Sequence, residues 1–171
     1  MGSDNQVLFV LANHEFRDEE FNEPKRILID AGITCKVAAL VSGECVGVAG
    51  TLATTDFELG EVNPEEFSAI VFVGGTGVEG YLKDELVHSV AKVFYKMDKL
   101  VCAICWAPSI LANAGLLNGK KATVWSGAKA DLDAGGATYT GEAVTSDGNI
   151  ITADGPDSAE IFGQEIAKRL I

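Results

Sequence analysis

Short apolar runs alternate with stretches of helical periodicity along this chain. Residues 7–12, 34–41, 68–73 and 100–104 are near-continuously apolar, as strands buried on both faces must be. Between them, residues 19–31 predict a helix that Gly32 stops. Leu86, Val87, Val90, Val93, Phe94 and Met97 mark one face of a helix over 84–97. A short helix is expected over 107–114, with Pro108 in its first turn and Gly115 past its end. Residues 122–125 and 150–153 read as two further strands. Residues 158–170 read as a final amphipathic helix capped by Asp157 or Ser158. This alternation predicts an α/β fold: a mostly parallel sheet with helices on both faces, a three-layer sandwich of the flavodoxin-like or Rossmann-like kind. Only residues 41–66 break the rhythm. Gly43, Gly47, Gly50 and the run Thr51 to Thr55 there predict a small hairpin excursion. With no repeat or linker in view, residues 1–171 are expected to form one domain.

Composition narrows the partners. A formal net charge of -12 repels phosphate backbones, so nucleic acid and anionic membranes are not expected. No apolar stretch reaches the length of a membrane span. The polar start Met1, Gly2, Ser3, Asp4 and the short run 7–12 do not make a secretory signal, and Gln6 stands where a myristoylation signal wants Ser or Thr. The four cysteines, Cys35, Cys45, Cys102 and Cys105, are expected to be free thiols in a cytoplasmic protein. Cys102 and Cys105 have C-x-x-C spacing, but Cys102 lies within a strand, which argues for burial rather than a redox pair.

In doubly wound sheets ligands bind at the carboxyl ends of the strands. Four segments meet there: residues 13–18, Gly74-Gly75, Cys105-Trp106 and the turn after Trp125. Cys105 falls between a buried strand and a helix start, the setting of a nucleophile elbow. A helix N-terminus there is expected to favour the thiolate and lower the cysteine pKa. Gly74 and Gly75 leave room for backbone N–H groups to approach a substrate oxygen. The stretch from Phe16 to Pro24 is acidic. One of its carboxylates could turn inward to the thiol, while the others serve the helix dipole. His14, on the same edge, is a possible base. His88 reads as a surface residue of the helix over 84–97. No Cys/His cluster has metal-ligand spacing, and the glycines of residues 74–77 do not form a dinucleotide fingerprint. No metal or cofactor is expected.

Taken in order, these residues resemble the ThiJ/PfpI superfamily, which includes PfpI-type intracellular proteases and the parkinsonism-linked deglycase. Phe16, Asp18, Glu20 and Pro24 are similar to the family's loop after the first strand. Residues 71–75 resemble its glycine turn, and Ala103, Ile104, Cys105 and Pro108 its cysteine elbow. Residues 116–123 resemble the stretch after the elbow helix. Residues 152–156, with Phe162, resemble the C-terminal motif. The resemblance covers essentially the whole chain and implies one domain of the class I glutamine amidotransferase-like type. It implies Cys105 as nucleophile, Glu20 as the carboxyl that hydrogen-bonds it, and the N–H groups of Gly75 and Trp106 as an oxyanion site. Gly74 and His14 would be auxiliary. It further implies a homodimer or higher oligomer. The chain departs from the proteases at Trp106 and Ala107, where they carry histidine and then glycine. Trp125 stands near a histidine of other members, and Asp154 where arginine is common. Three readings follow: an enzyme acting on small reactive carbonyls of the glyoxalase III or deglycase type, an intracellular cysteine peptidase or amidase, and a redox-responsive thiol or ligand-binding protein without catalysis.

Overall fold

A computed structural model describes residues 5–171. The reading of residues 1–4 lies outside the described residues. The chain runs through β1 (Gln6–Val10), β2 (His14–Phe16), α1 (Asp18–Asp30), β3 (Thr34–Ala39), β4 (Glu44–Gly47), β5 (Leu52–Thr54), β6 (Phe57–Glu58) and β7 (Ala69–Phe72). It continues through α2 (Glu85–Lys96), β8 (Leu100–Ile104), α3 (Pro108–Asn113), β9 (Lys121–Ala122), α4 (Lys129–Ala134), β10 (Thr138–Tyr139), β11 (Val144–Asp147), β12 (Ile150–Ala153) and α5 (Ala159–Leu170). Seven strands form one sheet in the order β11-β12-β8-β7-β1-β3-β6. All neighbours in it are parallel except the hairpin β11–β12. Its central order, with the second strand beside the first and the third on the first's other side, is the flavodoxin-like doubly wound arrangement.

Because side chains alternate along a strand, each run feeds two cores. Leu8, Val10, Ile70, Phe72, Val101 and Ala103 face Val87 and Phe94 of α2 and Ile110 and Leu111 of α3. Val7, Phe9, Val71, Cys102 and Ile104 face Phe21 and Leu28 of α1 and Phe162 and Ile166 of α5. That is the expected three-layer sandwich. Cys102 is buried in the second core, as its place in a strand requires. Among the described residues, no helix is long and apolar enough to cross a membrane.

The expected helix over 84–97 packs through a narrower stripe than its apolar residues suggest. Val87, Ala91 and Phe94 are buried, whereas Leu86, Val93 and Met97 remain about two-fifths exposed on its flank. A flat sheet touches only one line of a cylinder, so residues to either side of it stay open. Two other expectations are corrected. Residues 122–125 are not a strand of the main sheet. Only Lys121–Ala122 pairs, in a small separate ladder with β10, and Trp125 opens a 3-10 turn. Ser158 stands at the N-cap of α5 but makes no side-chain cap, because its hydroxyl donates to Asp154 instead.

The excursion over 41–66 holds the expected hairpin, β4 with β5, and β2 adds to it in parallel. Asp18, the first residue of α1, clamps it. Its carboxylate accepts the N–H of Ala49 at 2.7 Å and of Thr51 at 2.8 Å. Burial pushes this carboxyl up, but these hydrogen bonds outweigh it and hold the group below its ordinary value. A depressed pKa stabilises the fold above the unfolded value near 3.8 and stops doing so as pH falls through the folded value. Asp18→Ala is therefore expected to cost about 2–3 kcal/mol at pH 7. Hydrogen exchange should quicken at Ala49 and Thr51 while amides of β1 and β8 keep their rank. Unchanged protection at those two amides would show that the hairpin is held by other means.

Candidate active site

The carboxyl ends of β1, β7, β8 and β12 open into a cavity of about 480 Å³. Its lining combines Arg17, Glu20, Gly75, Thr76 and Cys105 with the apolar Val48, Trp106, Trp125 and Pro156. All four segments expected to converge do so.

Cys105 follows β8 directly and has a left-handed backbone, φ 65°. Such a conformation is strained for a residue with a side chain and persists only where surroundings enforce it. Two hydrogen bonds enforce it here. Its N–H donates to Ala153 O at the end of β12, 2.9 Å, and its carbonyl accepts Trp125 N–H at 2.7 Å. The chain then turns into α3, with Pro108 at its start. The thiol is half-buried and faces the cavity.

Three successive acids at the start of α1 have three different fates. Asp18 turns to the hairpin. Glu19 is exposed and pairs with Arg17 at 2.8 Å. Glu20 points inward and has no exposed surface. Gly74 is what lets it meet the thiol. A Cβ on Gly74 would lie 2.7 Å from Cys105 Cβ and 3.0 Å from Glu20 Oε2, so any side chain there would separate the two groups. Neither Glu20 oxygen has a partner in hydrogen-bond geometry among the described residues. The Cys105 thiol and the Gly74 N–H are near enough to favour its charged form, though not aligned for a full bond. Burial dominates and pushes Glu20 up to about 8.

The same burial pushes Cys105 up to about 12, and the Glu20 carboxylate adds to the shift, while the N–H groups of Trp106 and Gly75 pull against it. The expectation that a helix N-terminus would lower this pKa is corrected. Cys105 lies outside the N-cap Ala107 of a six-residue helix, and desolvation outweighs so short a dipole. Gly75 is left-handed as well, φ 108°, and its amide is turned to the sulfur. His14 is exposed on β2 and is not among the residues lining the cavity. His88 donates through Nε2 to Leu82 O at 2.8 Å and is not among the residues lining the cavity. Val48, Arg17 and Thr76 were not singled out from the sequence, and Pro156 only as the end of the motif over 152–156. For Val48 no local signal exists, since only the pairing of β2 with β4 brings it over the site.

A sequence model of the DJ-1/PfpI family matches residues 5–169. An uncharacterized protein of Methanocaldococcus jannaschii is 42% identical over 168 residues, covering 96% of this chain and 82% of that protein. A Pyrococcus horikoshii protein named as a deglycase is 34% identical over 165 residues, covering 96% and 99%. Among solved structures, a ThiJ/PfpI domain protein from Brachyspira murdochii superposes with a TM-score of 0.95 at 34% identity, over 98% of this chain and 96% of that one. DJ-1beta of Drosophila melanogaster gives 0.88 at 29% identity, over 98% and 90%.

Glu20 carries its own pH signature. Between its unfolded value near 4.5 and its folded value of about 8, the native state holds a proton that the unfolded chain has lost. Stability must therefore fall as pH rises through that window. Glu20→Gln, neutral throughout, is expected to match the wild type near pH 5 and to exceed it above pH 8, by at most roughly 4 kcal/mol at ~1.4 kcal/mol per unit. Melting curves across this range should show a gap of several degrees opening with pH. A gap that stays constant would mean that Glu20 is ionised at every pH.

Proposed function

The chain belongs to the DJ-1/PfpI family, and we propose that it acts through Cys105 on small reactive carbonyls, converting α-oxoaldehydes to 2-hydroxy acids. One observation carries this reading: a cysteine on a strained elbow and a buried, unpartnered carboxyl meet beside Gly74 at the base of one cavity. A carboxyl raised to about 8 keeps its proton in most molecules at neutral pH, and the fraction that ionises as pH approaches that value is a stronger base than an exposed carboxylate, so it is this fraction that takes the thiol proton. The thiolate adds to the aldehyde carbon, forming the C–S bond of a hemithioacetal, and the N–H groups of Gly75 and Trp106 stabilise the oxygen as it gains charge. Glu20 passes the thiol's proton to that oxygen. It then removes the proton from the former aldehyde carbon and returns it to the neighbouring carbon. The first carbon is oxidised to a thioester while the second is reduced to an alcohol. Water cleaves the thioester, releasing the 2-hydroxy acid and the thiol. No external oxidant or reductant enters, and the sum is aldehyde plus water to hydroxy acid.

A relative named as a deglycase, 34% identical across nearly its whole length, supports chemistry of this class. The peptidase reading finds less support, since an amide leaving group needs a proton donor and no histidine lines the cavity. A thiol sensor finds less support as well, because among the described residues no second cysteine lines the cavity to resolve an oxidised sulfur.

Methylglyoxal consumption with product identification tests the proposal. The wild type should form lactate. Cys105→Ala should lose activity entirely, and Glu20→Gln should lose at least about tenfold in kcat/KM, equivalent to about 1.4 kcal/mol of barrier. A Cys105→Ala protein that still forms lactate would remove the basis of the proposal.

A further inference from the structure

The cavity of about 480 Å³ is far larger than a three-carbon aldehyde requires, and Val48, Trp106, Trp125 and Pro156 give it an apolar lining. Trp106 and Trp125 are among them, with ring centroids 6.1 Å apart and ring planes at 66°, an edge-to-face pair. Trp125 is 46% exposed, which for so large an apolar side chain marks a surface available to a ligand. Val48 and Pro156 extend the same lining.

Both tryptophans are placed relative to the sulfur, not left to drift. Trp106 is the next residue after Cys105. Trp125 donates its backbone N–H to the Cys105 carbonyl at 2.7 Å, so its indole projects from a point tied to the elbow. The turn after it is shaped to the ring. A Cβ on Gly127 would lie 2.5 Å from the indole atoms Cη2 and Cζ2, so only a glycine lets the ring lie back over residues 126–128. The reacting groups, Cys105 and Glu20, line the same cavity. A substrate held with its carbonyl at the sulfur would lay its substituent against the exposed surface of this indole pair, where edge and offset contacts favour another flat ring.

We propose that Trp106 and Trp125 form a subsite for a flat apolar substituent, so that aryl-substituted α-oxoaldehydes are preferred over methylglyoxal. This rests on the carbonyl chemistry proposed above and adds what selects among its substrates. Trp125 sets the preference through its side chain, and Gly127 positions it.

The test compares kcat/KM for phenylglyoxal and methylglyoxal in the wild type, Trp125→Phe and Trp125→Ala. Alongside, calorimetry measures binding of the two product acids, mandelate and lactate, to the same proteins. The wild type should favour phenylglyoxal by about tenfold or more. Trp125→Phe should keep most of that ratio, and Trp125→Ala should bring it close to one. A wild-type ratio near or below one, or a ratio that Trp125→Ala leaves intact, overturns the subsite. If neither aldehyde is consumed, the acids decide. Mandelate binding about tenfold tighter than lactate, with the difference lost in Trp125→Ala, sustains the subsite while the reaction falls. Mandelate binding no tighter than lactate overturns the subsite too.

Discussion

A carboxyl group with no contact to solvent is expensive to ionise unless the protein surrounds it with donors, and around Glu20 it does not. Both oxygens lack an aligned partner among the described residues, so the group is held towards its neutral form chiefly by desolvation, with the Glu19 carboxylate adding to it. What offsets this cost is the packing of the rest of α1. Phe21 and Leu28 are buried against the sheet and α5, and Asp18 anchors the first turn through the hairpin. The helix is fixed by those contacts, and Glu20 is carried inward with it. A proton-holding group beside the thiol is thus a by-product of a helix that has nowhere else to go.

The elbow depends on the sheet in a similar way. Strand β8 sits between β7 and β12, so the backbone leaving it is flanked by the glycine turn on one side and by residues 154–156 on the other. The positive φ of Cys105 is then maintained by one hydrogen bond to each of two distant segments. Neither bond uses a side chain, which leaves the thiol free to face the cavity. The same arrangement brings both tryptophans to the cavity, Trp106 as the next residue and Trp125 through its hydrogen bond to the Cys105 carbonyl, while Glu20 comes from α1.

Much of this was legible in the chain. Two-sided strand burial gives long apolar runs, and those runs, with Gly32, Pro108 and Gly115, delimit the parallel core. The cysteine, the paired glycines and the acidic segment were readable because each sits at the end of such a run. What was not legible depends on long-range partners. Asp18, Glu19 and Glu20 are alike in sequence, and only the pairing of β2 with β4 decides that the first meets the hairpin while the third meets the thiol. Val48 reaches the cavity for the same reason. The stretch 122–125 has the composition of a strand, yet the Trp125 N–H is taken by the Cys105 carbonyl, and that bond competes with continued pairing. The rise in the Cys105 pKa was missed because sequence shows a helix start but not the depth at which it lies.

The two hydrogen bonds at Cys105 also order events during biosynthesis. Its N–H is bound by Ala153 and its carbonyl by Trp125, both downstream. A chain still emerging from a ribosome has made β8 and the cysteine but lacks the strand and turn that force the left-handed backbone. At roughly 5–20 residues per second, the elbow at Cys105 cannot form until β12 has left the exit tunnel and docked beside β8. The left-handed backbone is therefore withheld from chains that still lack β12.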